Sequence, residues 1–147
     1  MKIQSYFHLK NQVSNKKYIK LIMVLKKNIE FETNSIFRKS ICRLLCNESW
    51  SINSKVFSGS KITITASNTD SGIAVQTGNI ARIYADLIKL CAMQKNRRIK
   101  IAFVLVPCKS LAKKWGSNIA NFERVVQELK IFKKVINKPL VVLGVKP

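Results

Sequence analysis

Apolar positions recur along the chain with two different periods. From Ser35 to Cys46 the residues Ile36, Phe37, Ile41, Leu44 and Leu45 fall at helical spacing, and Asn34 is placed to cap that helix. Gly78 and Asn79 open a second helix that runs to Gln94. Ile80, Ile83, Leu87, Leu90 and Cys91 lie on one of its faces; Arg82, Asp86 and Lys89 lie toward another. A third helix, capped by Ser117 or Asn118, carries a stripe of Ile119, Phe122, Val125, Val126, Leu129 and Phe132. Elsewhere the period drops to two. Lys61–Thr65 (KITIT) alternates and is β-branched, and Gly72–Gln76 (GIAVQ) reads as a second short strand. Ala66–Ser71 (ASNTDS) between them has turn chemistry, so the pair forms a hairpin. Two apolar runs, IKIAFVLV (99–106, ended by Pro107) and PLVVLGV (139–145), read as strands covered on both faces.

The flanks are less patterned. YIKLIMVL (18–25) fits either a strand or a helix, 47–60 is a Ser- and Asn-rich loop, and 1–17 reads as a polar, basic, poorly ordered arm. In the second half the order is strand, strand, helix, strand, helix, strand. The long strands flank a helical crossover, which implies a parallel pair with a right-handed connection. The expected fold is α/β: a three-layer mixed sheet flanked by helices. The expected division is a basic arm plus helix over 1–56 and the core over 57–147.

Composition adds a partner class. The 147 residues are 47% hydrophobic, which excludes wholesale disorder and suits one domain. Lys and Arg number 27 against 7 Asp and Glu, a formal charge of +20. Such an excess points to a polyanion, most often nucleic acid, although a genome-wide bias toward Lys also produces it. Cys42, Cys46, Cys91 and Cys108 form no CxxC pair, and His8 does not complete a zinc set with them. They read as small apolar residues of a reducing compartment. No run of apolar residues suits a membrane span, and no signal-peptide core follows the N-terminal lysines, so the expected location is the cytoplasm.

Three constellations carry possible chemistry. In Asp70–Gln76 (DSGIAVQ) a turn carboxylate precedes a strand ending in a side-chain amide; a divalent ion needs hard oxygen ligands, and Asp70 offers one. A lone Asp in such a turn is also an ordinary turn residue. In Gln76–Arg82 (QTGNIAR) Gly78 permits close backbone approach, and Asn79 either caps a helix or reads a base edge. In Lys113–Asn118 (KKWGSN) two lysines and two small polar residues suit phosphate and base contacts, or a plain loop.

Taken together, VQTGNIARIYADLIKL (75–90), IAFVLVP (101–107), GSNIANFERVVQEL (116–129) and PLVVLGV (139–145) resemble the BglII/BstYI-type type II restriction endonucleases of the PD-(D/E)XK nuclease superfamily. The resemblance covers residues 57–145. It implies an αβββαβ-type core and Mg2+-dependent hydrolysis of double-stranded DNA at a short, GATC-centred palindrome, read by a homodimer. It implies Asp70 as metal ligand and Gln76 as the residue orienting water, with Asn79, Ser117 and Asn118 on DNA; Arg82, Lys113 and Lys114 are added as candidate DNA-binding cations from their chemistry. Ala74 stands where the family has Glu, so one metal-binding carboxylate is missing. Ala74→Glu should then raise metal-dependent nicking if Asp70 shares the ion. The alternative reading is a catalytically inactive DNA-binding relative. A non-specific RNA-associated protein is a weaker third, since KITIT and GIAVQ lack the aromatics of RNA-binding strands.

Overall fold

A computed structural model describes residues 1–9 and 15–147. Its centre is β5 (Ile101–Pro107), whose residues are buried throughout. Beside it run β4 (Ser71–Val75) and β6 (Leu140–Lys146), both parallel to it. The sheet is completed by β1 (Lys2–His8), antiparallel to β6, and by β3 (Ala66–Ser67) and β2 (Ser51–Ile52) beyond β4. The six-stranded order is β1-β6-β5-β4-β3-β2.

Alternation along β5 explains its unbroken apolar run. Ala102, Val104 and Val106 face a layer that includes α3 (Arg82–Lys95) and α5 (Phe122–Ile131), through Ile83, Leu87, Leu90, Val125 and Leu129. Ile101, Phe103 and Leu105 face α1 (Asn15–Leu25) and α2 (Asn34–Asn47), through Leu21, Leu25, Phe37, Ile41 and Leu45. Side chains on a strand alternate between faces, so a strand covered twice must be apolar at every position. The expected three-layer α/β architecture is the one observed. Residues 1–56 contribute β1, β2, α1 and α2 to the same sheet and the same apolar layer.

Several local expectations need correction. Residues 2–8 are an edge strand in register with β6 from Lys2↔Lys146 to His8↔Leu140, not a loose arm. An edge strand has one neighbour to satisfy and tolerates the polar alternation that disguised it. Residues 10–14 of the expected arm lie outside the described residues. The 18–25 run is helical, within α1. The hairpin exists, but its first strand is Ala66–Ser67, pairing Ala66↔Ile73 and Ser67↔Gly72. Asn68 tightens the turn: its Oδ1 accepts from the N–H groups of Asp70 (3.1 Å) and Ser71 (2.9 Å). KITIT instead runs against residues 53–56 with irregular bonds, Asn53 N–H to Thr65 O and Ile64 N–H to Ser54 O, each 2.9 Å.

Helix starts shift for related reasons. Thr33, not Asn34, caps α2, its Oγ1 accepting from Ile36 N–H at 3.1 Å. Asn121 caps α5 through Arg124 N–H at 3.1 Å, in place of Ser117 or Asn118. A further helix, α4 (Lys109–Trp115), precedes it, with only Leu111 and Ala112 buried, too little pattern to announce itself. At Gly144 the backbone of β6 approaches α5 so closely that a Cβ would lie 2.5 Å from Cγ of Phe122.

Candidate nucleic-acid interface

The carboxyl ends of β4 and β5 are where an open α/β sheet offers its crevice. There the chain leaves β4 through Gln76, Thr77 and Gly78, and leaves β5 through α4 into the loop 116–121. The two exits are tied together. Asn79 and Ile119 form an isolated antiparallel bridge; Ile80 N–H donates to Asn118 O at 3.0 Å and Ala120 N–H to Gly78 O at 2.9 Å. This pairing delays α3 to Arg82 and α5 to Phe122. It also places exposed Asn79, Ser117 and Asn118 on one rim.

Asn79 is shaped by its own turn, its Oδ1 accepting from Ala81 N–H at 2.8 Å. Arg82 follows on the exposed first turn of α3. Lys113 and Lys114, also exposed, end α4. That helix is anchored by Trp115, whose Nε1 donates to Phe31 O at 3.2 Å and whose ring lies 5.3 Å from that of Phe37. Gly116, at φ 155°, then turns the chain toward the rim.

Behind the rim lies a cleft of about 570 Å³ lined by α2, α3 and the segments around Thr65 and Gln76. Gln76 is buried and fully engaged. Its Nε2 donates to Asp86 Oδ2 at 2.8 Å, and its Oε1 accepts from Gly78 N–H at 3.0 Å. The other oxygen of Asp86 meets Lys89 Nζ at 3.4 Å. Across the cleft the Arg38 guanidinium donates to the Val75 carbonyl and, at 3.3 Å, to Thr65 Oγ1. Thr65 Oγ1 also accepts from Val75 N–H at 2.9 Å, so Arg38 is fixed to the very end of β4.

Asp70 is not part of this arrangement. It precedes β4 whereas Gln76 follows it, and six residues of strand at roughly 3.3 Å each separate them by about 20 Å. Asp70 instead pairs with Lys17 at 2.9 Å and Lys100 at 3.1 Å. The hydrogen bonds from these two ammonium groups, Lys17 foremost, hold its carboxyl below the usual carboxylate range. A metal shared by Asp70 and Gln76 is therefore ruled out by their placement. Ala74 is 1% exposed and packs in the layer with Val104 and Ile83. Among the described residues Asp86 is the one carboxylate lining the cleft, beside Arg38, Arg82 and Lys89. No group of three or more His, Cys, Asp or Glu among them could hold a metal ion.

Sequence reasoning missed Arg38, Thr65 and the site role of Asp86. A signal for Arg38 was present: it stands three before Ile41 and seven before Leu45, inside the apolar stripe of α2, where a charge must have a partner. Arg82, Asp86 and Lys89 do share a helix face, and it is that face which lines the cleft.

A mixed sheet between helical layers, with a polar cleft at the carboxyl ends of its central strands, is an architecture that restriction endonucleases share with proteins of other functions. The chain is similar to the crystal structure of restriction endonuclease BglII complexed with a DNA 16-mer, with TM-score 0.83, 15% identity, and coverage of 100% of this chain and 79% of that one. It is similar also to free BglII, with TM-score 0.74, 14% identity, and coverage of 100% and 80%. The sequence profile of the family "restriction endonuclease BglII/BglIII" matches residues 8–145. The chain therefore belongs to the BglII/BglIII restriction endonuclease family, a family of site-specific deoxyribonucleases. Among curated proteins nothing matches. Enzymes of this kind generally use a divalent metal. The residues of this cleft do not fit one, because its single carboxylate is already held by Gln76 and Lys89 and its other charged groups are cations. No described helix is long and apolar enough to cross a membrane.

Proposed function

We propose that this chain is a DNA-recognising member of its family that binds double-stranded DNA without cutting it. The observation that carries the reading is the charge of the cleft: Arg38, Arg82 and Lys89 against Asp86. Hydrolysis assisted by a metal needs ligands of the opposite sign. Binding to a phosphate backbone needs the cations that are there.

The reading extends to a GATC-centred palindrome, a cytoplasmic location and a homodimer whose two-fold matches that of the site. Asn79, Ser117 and Asn118 would contact base edges from the shared rim; Arg82, Lys113 and Lys114 would hold the backbone. The +20 charge supports the backbone part, and the resemblance of 57–145 to the BglII/BstYI-type enzymes suggests the palindrome.

The test is fluorescence anisotropy with labelled duplexes, with or without a central GATC, across a salt series. Binding should weaken steeply with salt, with a slope reflecting about 6–10 phosphate contacts as in typical DNA binders. Asn79→Ala should reduce the preference between duplexes, each base-reading contact being worth about 1–3 kcal/mol of discrimination. Lys113→Ala should weaken all duplexes alike. Absence of binding at low salt would overturn the reading, and equal loss on every duplex for Asn79→Ala would leave Asn79 as a turn residue only. Light scattering of the complex should give two chains per duplex.

A further inference from the structure

The cleft raises a question of charge. A phosphate diester approaching the carboxyl end of β4 meets a site where no divalent cation fits. Some other positive group must compensate it there, or the DNA would be repelled by Asp86 and unsupported at its closest approach. We infer that the Arg38 guanidinium is that group, a covalently fixed cation that holds a DNA backbone phosphate at this cleft without metal.

Three observations carry this. First, Arg38 is positioned rather than free. Two of its N–H groups are spent on the Val75 carbonyl and Thr65 Oγ1, both at the end of β4. A guanidinium has five N–H donors in a rigid fork, so three remain for an incoming oxyanion. Second, those bonds set its depth. The side chain crosses from α2 to the strand end and stops beside Gln76, whose own amide is closed off by Asp86 and Gly78. Third, the local balance favours an anion. Lys89 is engaged with Asp86 at 3.4 Å, whereas the acceptors of Arg38 among the described residues are a neutral carbonyl and a neutral hydroxyl, so no bonded carboxylate cancels its charge where it lines the cleft.

The inference rests on the DNA-binding reading and goes beyond it by making binding independent of metal. The experiment uses the full chain and a labelled 16-base-pair duplex, by anisotropy, once with excess EDTA and once with excess Ca2+, each over a salt series. The expected result is the same affinity in both, within about twofold. Arg38→Gln should weaken binding about tenfold or more, as loss of a charge-assisted hydrogen bond does, and lower the salt slope by about one. A purely structural role for Arg38 would not change that slope. Arg38→Lys keeps a point charge but loses the fork, so it should keep the slope and lose several-fold in affinity; it also serves if Arg38→Gln does not fold. Binding that appears only with Ca2+, or an unchanged salt slope in Arg38→Gln, overturns the inference while leaving DNA binding intact. No binding by the unaltered chain in either condition overturns the DNA reading itself, and this inference with it.

Discussion

At its amino end β4 starts beside Asp70, a carboxylate clasped at the surface by Lys17 and Lys100. At its carboxyl end it runs into Gln76, bonded to Asp86 and flanked by Arg38. The first end has a negative group with its charge already answered by two flexible lysines. The second has an excess of positive charge around a single engaged carboxylate. Seen in sequence, Asp70 and Gln76 are near neighbours and suggest one metal site. On a strand the same spacing carries them to opposite rims of the sheet. The general lesson is that proximity along a strand measures distance along the sheet, whereas residues far apart in sequence, such as Arg38, Thr65 and Gln76, meet wherever elements end together.

The strongest way to break this contrast is to add a carboxylate at the carboxyl half of β4. Ala74→Glu puts a charge among apolar side chains at a position 1% exposed. An uncompensated buried charge costs about 3–5 kcal/mol. Urea denaturation should show a loss of that size, and excess Mn2+ should not reverse it. A native-state metal site would gain stability with metal by mass action, so rescue by Mn2+ would show that this end can be rebuilt as a metal centre.

A smaller effect is expected from Gln76→Ala, which removes the bonds to Asp86 and to Gly78 N–H. Losing them should lower stability by about 1–3 kcal/mol, because Asp86 and a turn N–H lose partners in a largely buried site. The same variant should disturb the rim loop carrying Asn79. Amide hydrogen exchange would show faster exchange at Gly78–Ile80 and little change at Asp70.

The least effect belongs to Asp70→Asn. Its carboxyl titrates lower in the folded chain than in the unfolded one, so it binds fewer protons when folded. The stability it contributes is present above the unfolded value of about 3.9 and is lost as pH falls through its lower folded value. Asp70→Asn should therefore flatten the acid limb of a stability profile by slightly lowering stability at neutral pH, with little change at low pH and DNA affinity near that of the unaltered chain. A marked loss of DNA affinity in this variant would return Asp70 to the functional site.

What was legible in the sequence follows the same physics. Strands buried on both faces, such as 101–107 and 140–146, announce themselves because every position must be apolar. The helix face of Arg82, Asp86 and Lys89 was visible from its period, and the rim residues Asn79, Ser117 and Asn118 from their turn chemistry. Strand β1 was hidden because one antiparallel neighbour asks little of its composition. The bridge between 79 and 119 is a tertiary pairing with no local signature, and it moved two helix starts. The place of Arg38 in the apolar stripe of α2 signals that it has a partner but not which one, because its partners are a carbonyl and a hydroxyl 27 to 37 residues away.

The central claim is that the carboxyl end of β4 binds DNA but has no place for the metal that would cut it. Supercoiled plasmid incubated with stoichiometric full chain in Mg2+ or Mn2+ tests it directly, with gels run before and after the protein is stripped away. The account predicts plasmid that is retarded while protein is bound and still supercoiled afterwards, the same as in chelator. Nicked or linear DNA that accumulates with metal and is absent in EDTA would contradict it.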